Sequence, residues 1–548
     1  MMDDLSRAIH SFFNVVSQES DYAVLLETPC LVESNSSVIQ HHLNMVGWSP
    51  CRVLSVFKNR ITLIQNIQHG EKKTSYILPA DHQGKGLQEE IENWLKSVQK
   101  KHRVFLHAGY ESLRWMDSEW EEVIFPDGED EFPEWVWVEM EHWATWHRQE
   151  ATRPLMGDDL SLVPFHVQAT SKSLTSHFQS LWQQIQEDIQ QKPQSQSPPQ
   201  SSSQTEKKAS HVVDRVVGHA VGLNESDVER YTLSVDEGQF KEQVQSVLKA
   251  IQSGDLYQAN VSLALSKQTV VTPMQIYQQL VAQNPSPFGG VFKLPEGTIV
   301  SNSPERLVDA QPVDVQHGQG DLHKYRVSCR PIAGTRGRKE EQAEDASLGE
   351  SLRHDLKEQA EHVMLVDLIR NDLGRVAMAG SVAVDELMVI ERYRHVMHMV
   401  SHVSGMMARE FKKDEPLWEH LLPLLKATFP GGTITGCPKI RCVERLAQLE
   451  EHRRGPYTGS MGYWNPETGA MDLNILIRTA LMTPCLPDEK RTSNAQVKGQ
   501  FSDEYAYNLS FCVGAGLVMD SVAEYEYKEC LRKSTSMRLA VLLAEHLH

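Results

Sequence analysis

Hydrophobic and polar positions along this chain follow two rhythms. In SVDEGQFKEQVQSVLKAIQSGD the apolar residues Phe240, Val244, Val247 and Ile251 recur at helical spacing, which predicts an amphipathic helix. RVLSVF (52–57), ITLIQNI (61–67) and RVFLHAGY (103–110) are short β-branched runs and predict strands. In MDLNILIRTAL (471–481), Met471, Leu473, Ile475 and Ile477 alternate with Asp472, Asn474 and Arg478, so a strand here should turn Arg478 to its polar side. KEQAEHVMLVDLIRNDLGR (357–375) and EYEYKECLRKS (524–534) read as helices. The acidic, tryptophan-rich stretch from Trp115 to Trp146 reads as loop and partial core. A mixed α and β protein follows, with no internal repeat.

The run QQKPQSQSPPQSSSQTEKK, Gln190 to Lys208, has no aromatic or aliphatic anchor and predicts a disordered insert. It divides the chain into an N-terminal segment, 1–185, the insert, 186–210, and a C-terminal part, 211–548. With 548 residues, 40% hydrophobic and 23% charged, the chain is long enough for a large core. It lacks an apolar run of the roughly 18 residues that span a bilayer. The acidic start, MMDDLSRAIH, lacks a secretory pattern, so the cytoplasm is the expected compartment. Eight cysteines are scattered without a CxxC, which predicts neither a zinc site nor a disulfide framework. A formal net charge of −19 argues against nucleic acid or an anionic membrane as partner. An anionic substrate would need local cations.

Two pairs of glutamates share one spacing: Glu358 with Glu361, and Glu526 with Glu529. Three residues apart on a helix, the carboxylates of each pair emerge on one face. Four oxygen donors suit Mg²⁺, which retains waters and accepts a substrate carboxylate or phosphate as a further ligand.

From about Val235 onward, nine blocks follow in order: GDLYQANVSLALS, SNSPERLV, RPIAGTRGR, AEHVMLVDLIRNDLGRV, HVMHMVSHVSG, FPGGTITGCPKIRCVERLAQLE, RGPYTGSMGYW, MDLNILIRTAL and GAGLVMDSVAEYEYKE. In this order they resemble the chorismate-utilising enzymes, in particular component I of aminodeoxychorismate synthase and its sister, component I of anthranilate synthase. The resemblance implies an α+β fold with two large, mostly antiparallel sheets packed as a sandwich and helices outside, the N-terminal segment adding strands to the same body.

It also implies roles. Glu361 and Glu529 match metal ligands for Mg²⁺, flanked by Glu358 and Glu526. Glu305 of SPERL matches a general acid at the C4 oxygen of chorismate, and His398 a histidine near the ring that can relay a proton. Arg478 and Tyr457 match the enolpyruvyl carboxylate site. Gly334 and Thr335, Gly431, Gly432 and Thr433, and Gly514, Ala515 and Gly516 supply glycine-rich backbone where amides can meet a carboxylate, with Thr433 counted among the catalytic residues. Lys533 and Lys439 are candidate counter-charges.

Two positions sort the reaction. Isochorismate and salicylate synthases place a water-activating lysine where this chain has Gln258, and glutamine cannot act as a base, so ammonia chemistry is implied. One branch of aminodeoxychorismate synthases carries a nucleophilic lysine where Ala333 stands here; alanine is typical of anthranilate synthases and also of another branch of aminodeoxychorismate synthases. The counterparts of a tryptophan-sensing motif, Leu25 to Thr28 and Asn284 to Gly290, carry Thr28 and Gly289 at altered positions. The expected activity is therefore that of aminodeoxychorismate synthase, with anthranilate synthase as the alternative and a non-catalytic partner-binding paralogue as a third reading. No GxCxGxQ-like glutaminase segment occurs, so ammonia should come from a separate glutamine amidotransferase subunit, component II.

Overall fold

A computed structural model describes residues 4–18, 20–27, 44–58, 60–65, 67, 72–77, 83–116, 123–126, 132–146, 165–168, 180, 183, 225–313, 322–339, 341–393, 395–409, 411–412, 417–485 and 507–547. The expected insert at 186–210, Thr28 and Cys30 lie outside these residues.

Every strand pairing among the described residues is antiparallel. One arm of the sheet runs from Gln258–Thr269 through Tyr507–Leu517, Thr479–Pro484, Gly297–Ser303 and Phe288–Leu294 to Ala23–Glu27. The other runs from Arg103–Ala108 through Ser460–Trp464, Met471–Asn474, Arg306–Val313 and Leu322–Arg330 to Val396–Met406. The expectation of two separate sheets needs correction, because hydrogen bonding is continuous between the arms. The 14-residue strand Asn44–Phe57 pairs first with Ala23–Glu27 and then with Arg60–Gln65, while Trp135–Trp146 accompanies it throughout and hands on to Arg103–Ala108. A register shift between Pro50 and Arg52, next to Ser49 at φ 55°, lets this long strand turn from one layer into the other.

The two arms still pack on each other. A side chain at Gly290 of one arm would collide with Met461 of the other, 2.9 Å away, and Phe105, Phe292, Met461 and Leu481 are buried in one cluster. Helices cover the outsides. Glu237–Gln252 lays Phe240, Val244, Val247 and Ile251 into the core as its periodicity predicts, and Asp236 with Gln239 forms a capping box at its start. Strands form where RVLSVF, ITLIQ and RVFLHA predict them.

The tryptophan-rich stretch is a correction. Trp135–Trp146 is a central strand, with Trp135 and Trp137 buried by partners on both sides. Its first residues, Trp135 to Val138, are buried on both faces and have none of the polar alternation that would have marked them as strand. The nineteen-residue helix Leu356–Gly374 is capped by Asp355, whose carboxylate accepts from the Lys357 and Glu358 amides, and is pinned through buried His362, Nε2 to Ser401 Oγ at 2.6 Å. No helix among the described residues is long and apolar enough to cross a membrane.

Candidate active site

The sheet opens at Arg478. The predicted strand MDLNILIRTAL is broken into Met471–Asn474 and Thr479–Pro484, and the chain between them leaves the ladder, with Arg478 at φ 52°. That corrects the alternation argument: Arg478 reaches the polar side because the backbone turns through the left-handed region there, a strained conformation for a long side chain. Pairing of Thr479–Pro484 with Tyr507–Leu517 stops at Ala480 opposite Phe511. Residues 512–517, which include Gly514, Ala515 and Gly516, therefore keep one edge without a strand partner among the described residues.

Around this opening stand most of the predicted residues. Tyr457 is buried, and its hydroxyl faces Gly514, where an added Cβ would lie 2.6 Å from the Tyr457 oxygen and 2.2 Å from Asn260 Oδ1. Gln258 borders Gly516, its Nε2 3.4 Å from where a Cβ would be. Lys533 Nζ donates to the Gly514 carbonyl at 3.0 Å and lies 3.8 Å from Glu529. Lys439 takes no part as a counter-charge, because its Nζ is bound to Asp372 at 2.8 Å. The guanidinium of Arg478 makes one hydrogen bond among the described residues, Nη1 to Ser286 Oγ at 3.4 Å, and no ion pair. Burial lowers its proton affinity, opposed by Tyr393. A half-buried cation without a carboxylate among the described residues is a place for a substrate anion.

Gly334 requires glycine. It sits at φ +77° within an irregular stretch of Ile332–Gly337, and an added Cβ would come within 3.0 Å of Glu358 Oε2 and 2.8 Å of Leu352 Cδ1. Next to it, Thr335 Oγ1 meets His398 Nδ1 at 2.8 Å across the strand pair. Burial, with Arg478 nearby, pushes the His398 imidazole down to about 3, so it is neutral through the working range. Glu305 behaves oppositely: burial raises its carboxyl to about 7, against the Thr433 hydroxyl and the Ile332 backbone. Thr433 Oγ1 borders that carboxyl yet, among the described residues, meets no atom in full hydrogen-bond geometry. Ala333 is buried and pairs with Met399, and no amine occupies its place.

The four glutamates come from two helices, Leu356–Gly374 and Ala523–Leu547. The Glu361 carboxyl is pushed above its usual range first by burial and then by Glu358, Glu526 and Asp355, against the exposed Lys357. Oxygen donors that repel one another in this way fit a hard divalent cation. Glu358 also leans on Arg336 at 3.3 Å, and Glu529 on Arg532 and Lys533. The four do not close to ligand spacing. Among the described residues only Cys51, His102 and Glu139 do, and there the Glu139 carboxylate is already taken by His102, Arg52 and the Gln99 amide, while burial pushes the Cys51 thiol up to about 12.

The tryptophan-sensing counterparts line a second, separate hollow. Leu26, Glu27, Pro287, Phe288, Gly289 and Asp472 line an open hollow of about 40 Å³. Glu27 is spoken for by His10 Nε2 at 2.7 Å and the Tyr277 hydroxyl at 3.0 Å, and Gly289 abuts that hydroxyl. Sequence reasoning missed Ser286 as the partner of Arg478; its place in NPSPFGG pointed to this hollow instead.

Residues 168–539 match a family described as chorismate binding enzyme. Over 312 residues the chain is 43% identical to an anthranilate synthase component I-like protein of Synechocystis sp., covering 57% of this chain and 56% of that protein. It is 42% identical over 306 residues to aminodeoxychorismate synthase component 1 of Bacillus subtilis, covering 56% of each. Anthranilate synthase component 1 of Thermus thermophilus is 41% identical over 308 residues, 56% of this chain and 57% of that one. The chain thus spans a little over half the length of the curated relatives it matches. In three dimensions it is similar to anthranilate synthase component I from Streptococcus pneumoniae, with a TM-score of 0.58 at 22% identity over 92% of this chain and 94% of that one, a likeness of fold.

Proposed function

The chain belongs to the chorismate binding enzyme family, and from that premise we propose that it is an aminodeoxychorismate synthase component I, replacing the 4-hydroxyl of chorismate with ammonia from a partner glutaminase. The observation that carries the reading is Glu305, a carboxyl that burial lifts to about 7, in a site where the half-buried Arg478 has a hydroxyl partner in Ser286 and no ion pair among the described residues. Such a pair suits a dianion that must lose a hydroxyl: Arg478 and Tyr457 hold the enolpyruvyl carboxylate, and Glu305 gives its proton to the leaving oxygen.

With Ala333 in place of a lysine, ammonia itself attacks the ring. The C4–O bond breaks, water departs with the Glu305 proton, the C–N bond forms, and the ammonium nitrogen returns a proton to the Glu305 carboxylate. Gln258 offers an amide and no base, which leaves water unactivated. Neutral His398, fixed by Thr335, orients the ring and is too weakly basic for ready elimination of pyruvate. Mg²⁺ held through Glu361 and Glu529, with Glu358 and Glu526 beside them, would supply charge neutralisation at the ring carboxylate.

Two relatives of nearly equal identity carry different names, one aminodeoxychorismate synthase and one anthranilate synthase. Gly289 at a tryptophan-sensing counterpart, with Glu27 already bound by the Tyr277 hydroxyl, favours the first; buried Ala333 favours the second, chorismate to anthranilate and pyruvate. Purified protein incubated with chorismate, Mg²⁺ and ammonium, with products resolved by mass, separates them. A non-aromatic amino product that a lyase converts to 4-aminobenzoate is the expected outcome. Fluorescent anthranilate formed with pyruvate would establish the alternative.

A further inference from the structure

Arg478 is held by a neutral group. The segment 284–288 is fastened at both ends, by buried Asn302, whose Nδ2 donates to the Asn284 carbonyl at 2.8 Å, and by buried Asn474, whose Nδ2 donates to the Phe288 carbonyl at 3.1 Å. The Asn302 amide also donates to the Arg478 carbonyl at 3.1 Å, so one residue ties this segment and the arginine backbone together. Between the two clamps lies Ser286, only 2% exposed, with its hydroxyl oxygen accepting from Arg478 Nη1 at 3.4 Å. That guanidinium makes no other hydrogen bond among the described residues.

We propose that Ser286 is a positioning residue for substrate binding, acting through Arg478. The inference rests on the reading that Arg478 receives a carboxylate of chorismate. A hydroxyl suits the task because it orients the guanidinium fork and leaves its full charge available. A carboxylate at 286 would orient the fork as well and neutralise it, and the dianion would lose its counter-charge. The same segment continues into Pro287, Phe288 and Gly289, which line the small hollow around Glu27. Packing changes there would reach the substrate through Ser286.

Chorismate Kd by calorimetry and steady-state amination by the full chain test this. Ser286→Ala should raise Kd and KM for chorismate about 10-fold, the lower end for a hydrogen bond to a charged group, with kcat within about twofold. Ser286→Thr, which keeps the hydroxyl, should stay near wild type, and Ser286→Asp should lose at least about 100-fold in kcat/KM through neutralisation. In an Arg478→Ala background, adding Ser286→Ala should leave Kd unchanged. An unaltered Kd in Ser286→Ala, a tolerated Ser286→Asp, or a serine effect that persists without the arginine would each overturn the proposal. Wild-type protein that neither binds nor consumes chorismate would instead overturn the reading beneath it.

Discussion

Glu305 is the residue whose chemistry depends most on where the chain puts it. In SPERL it reads as an ordinary glutamate at a strand end; in the structure, burial without an ion pair lifts its carboxyl to about 7. A proton donor of that strength works below about pH 7 and fails above it. When rates are expressed per free ammonia, kcat/KM should fall about tenfold per pH unit on the alkaline side, and Glu305→Gln should flatten that limb while losing about 10²–10⁴ of the rate. The same shift has a sign for stability. A carboxyl whose folded pKa is raised favours the folded state fully below its unfolded value, and that contribution is lost as pH rises through about 7, so the urea midpoint of Glu305→Gln should decline less over that interval than wild type. The role of Glu305 came from the family pattern in the sequence, but its protonation state did not, because the burial that raises it, and the Thr433 hydroxyl and Ile332 backbone that oppose this, arise only when distant parts of the chain fold around it.

At the scale of elements, the site depends on places where regular structure gives way. The helix carrying Glu358 and Glu361 was legible from spacing alone, since i, i+3 positions share a face wherever a helix forms. The interruptions were not. Alternation in MDLNILIRTAL lapses at Leu476, where the polar parity carries an apolar residue, but a lapse in a period of two does not announce a left-handed residue at Arg478. Gly334 is another such interruption, and its lack of a side chain makes room for Glu358. Gly334→Ala should destabilise the protein by about 1–2 kcal/mol, the range for forcing an L-residue into left-handed backbone, seen as a lower urea midpoint. It should also displace Glu358, so that more Mg²⁺ is needed for half-maximal turnover. A variant with the wild-type midpoint and Mg²⁺ dependence would show that neither contact matters.

For the whole molecule, the family blocks of the C-terminal part revealed the fold class, while the continuity of the sheet lay in pairings too far apart to read. Ala23–Glu27 lies on Phe288–Leu294, and Arg103–Ala108 on Ser460–Trp464, so the C-terminal part alone would expose two long apolar strand edges. Residues 199–548 produced alone should aggregate or lack near-ultraviolet circular dichroism, whereas co-production with 1–198 should give a complex that copurifies and consumes chorismate. A monodisperse, active 199–548 fragment would refute this. The same pairing imposes an order in time. His107 bonds to the carbonyl of Ser460, 353 residues further on, and at 5–20 residues per second a ribosome takes about 20–70 s to make that stretch. Through that interval the edge of Arg103–Ala108 that later takes Ser460–Trp464 has no partner, so the nascent chain passes through a long window in which a central strand lies open to wrong pairing.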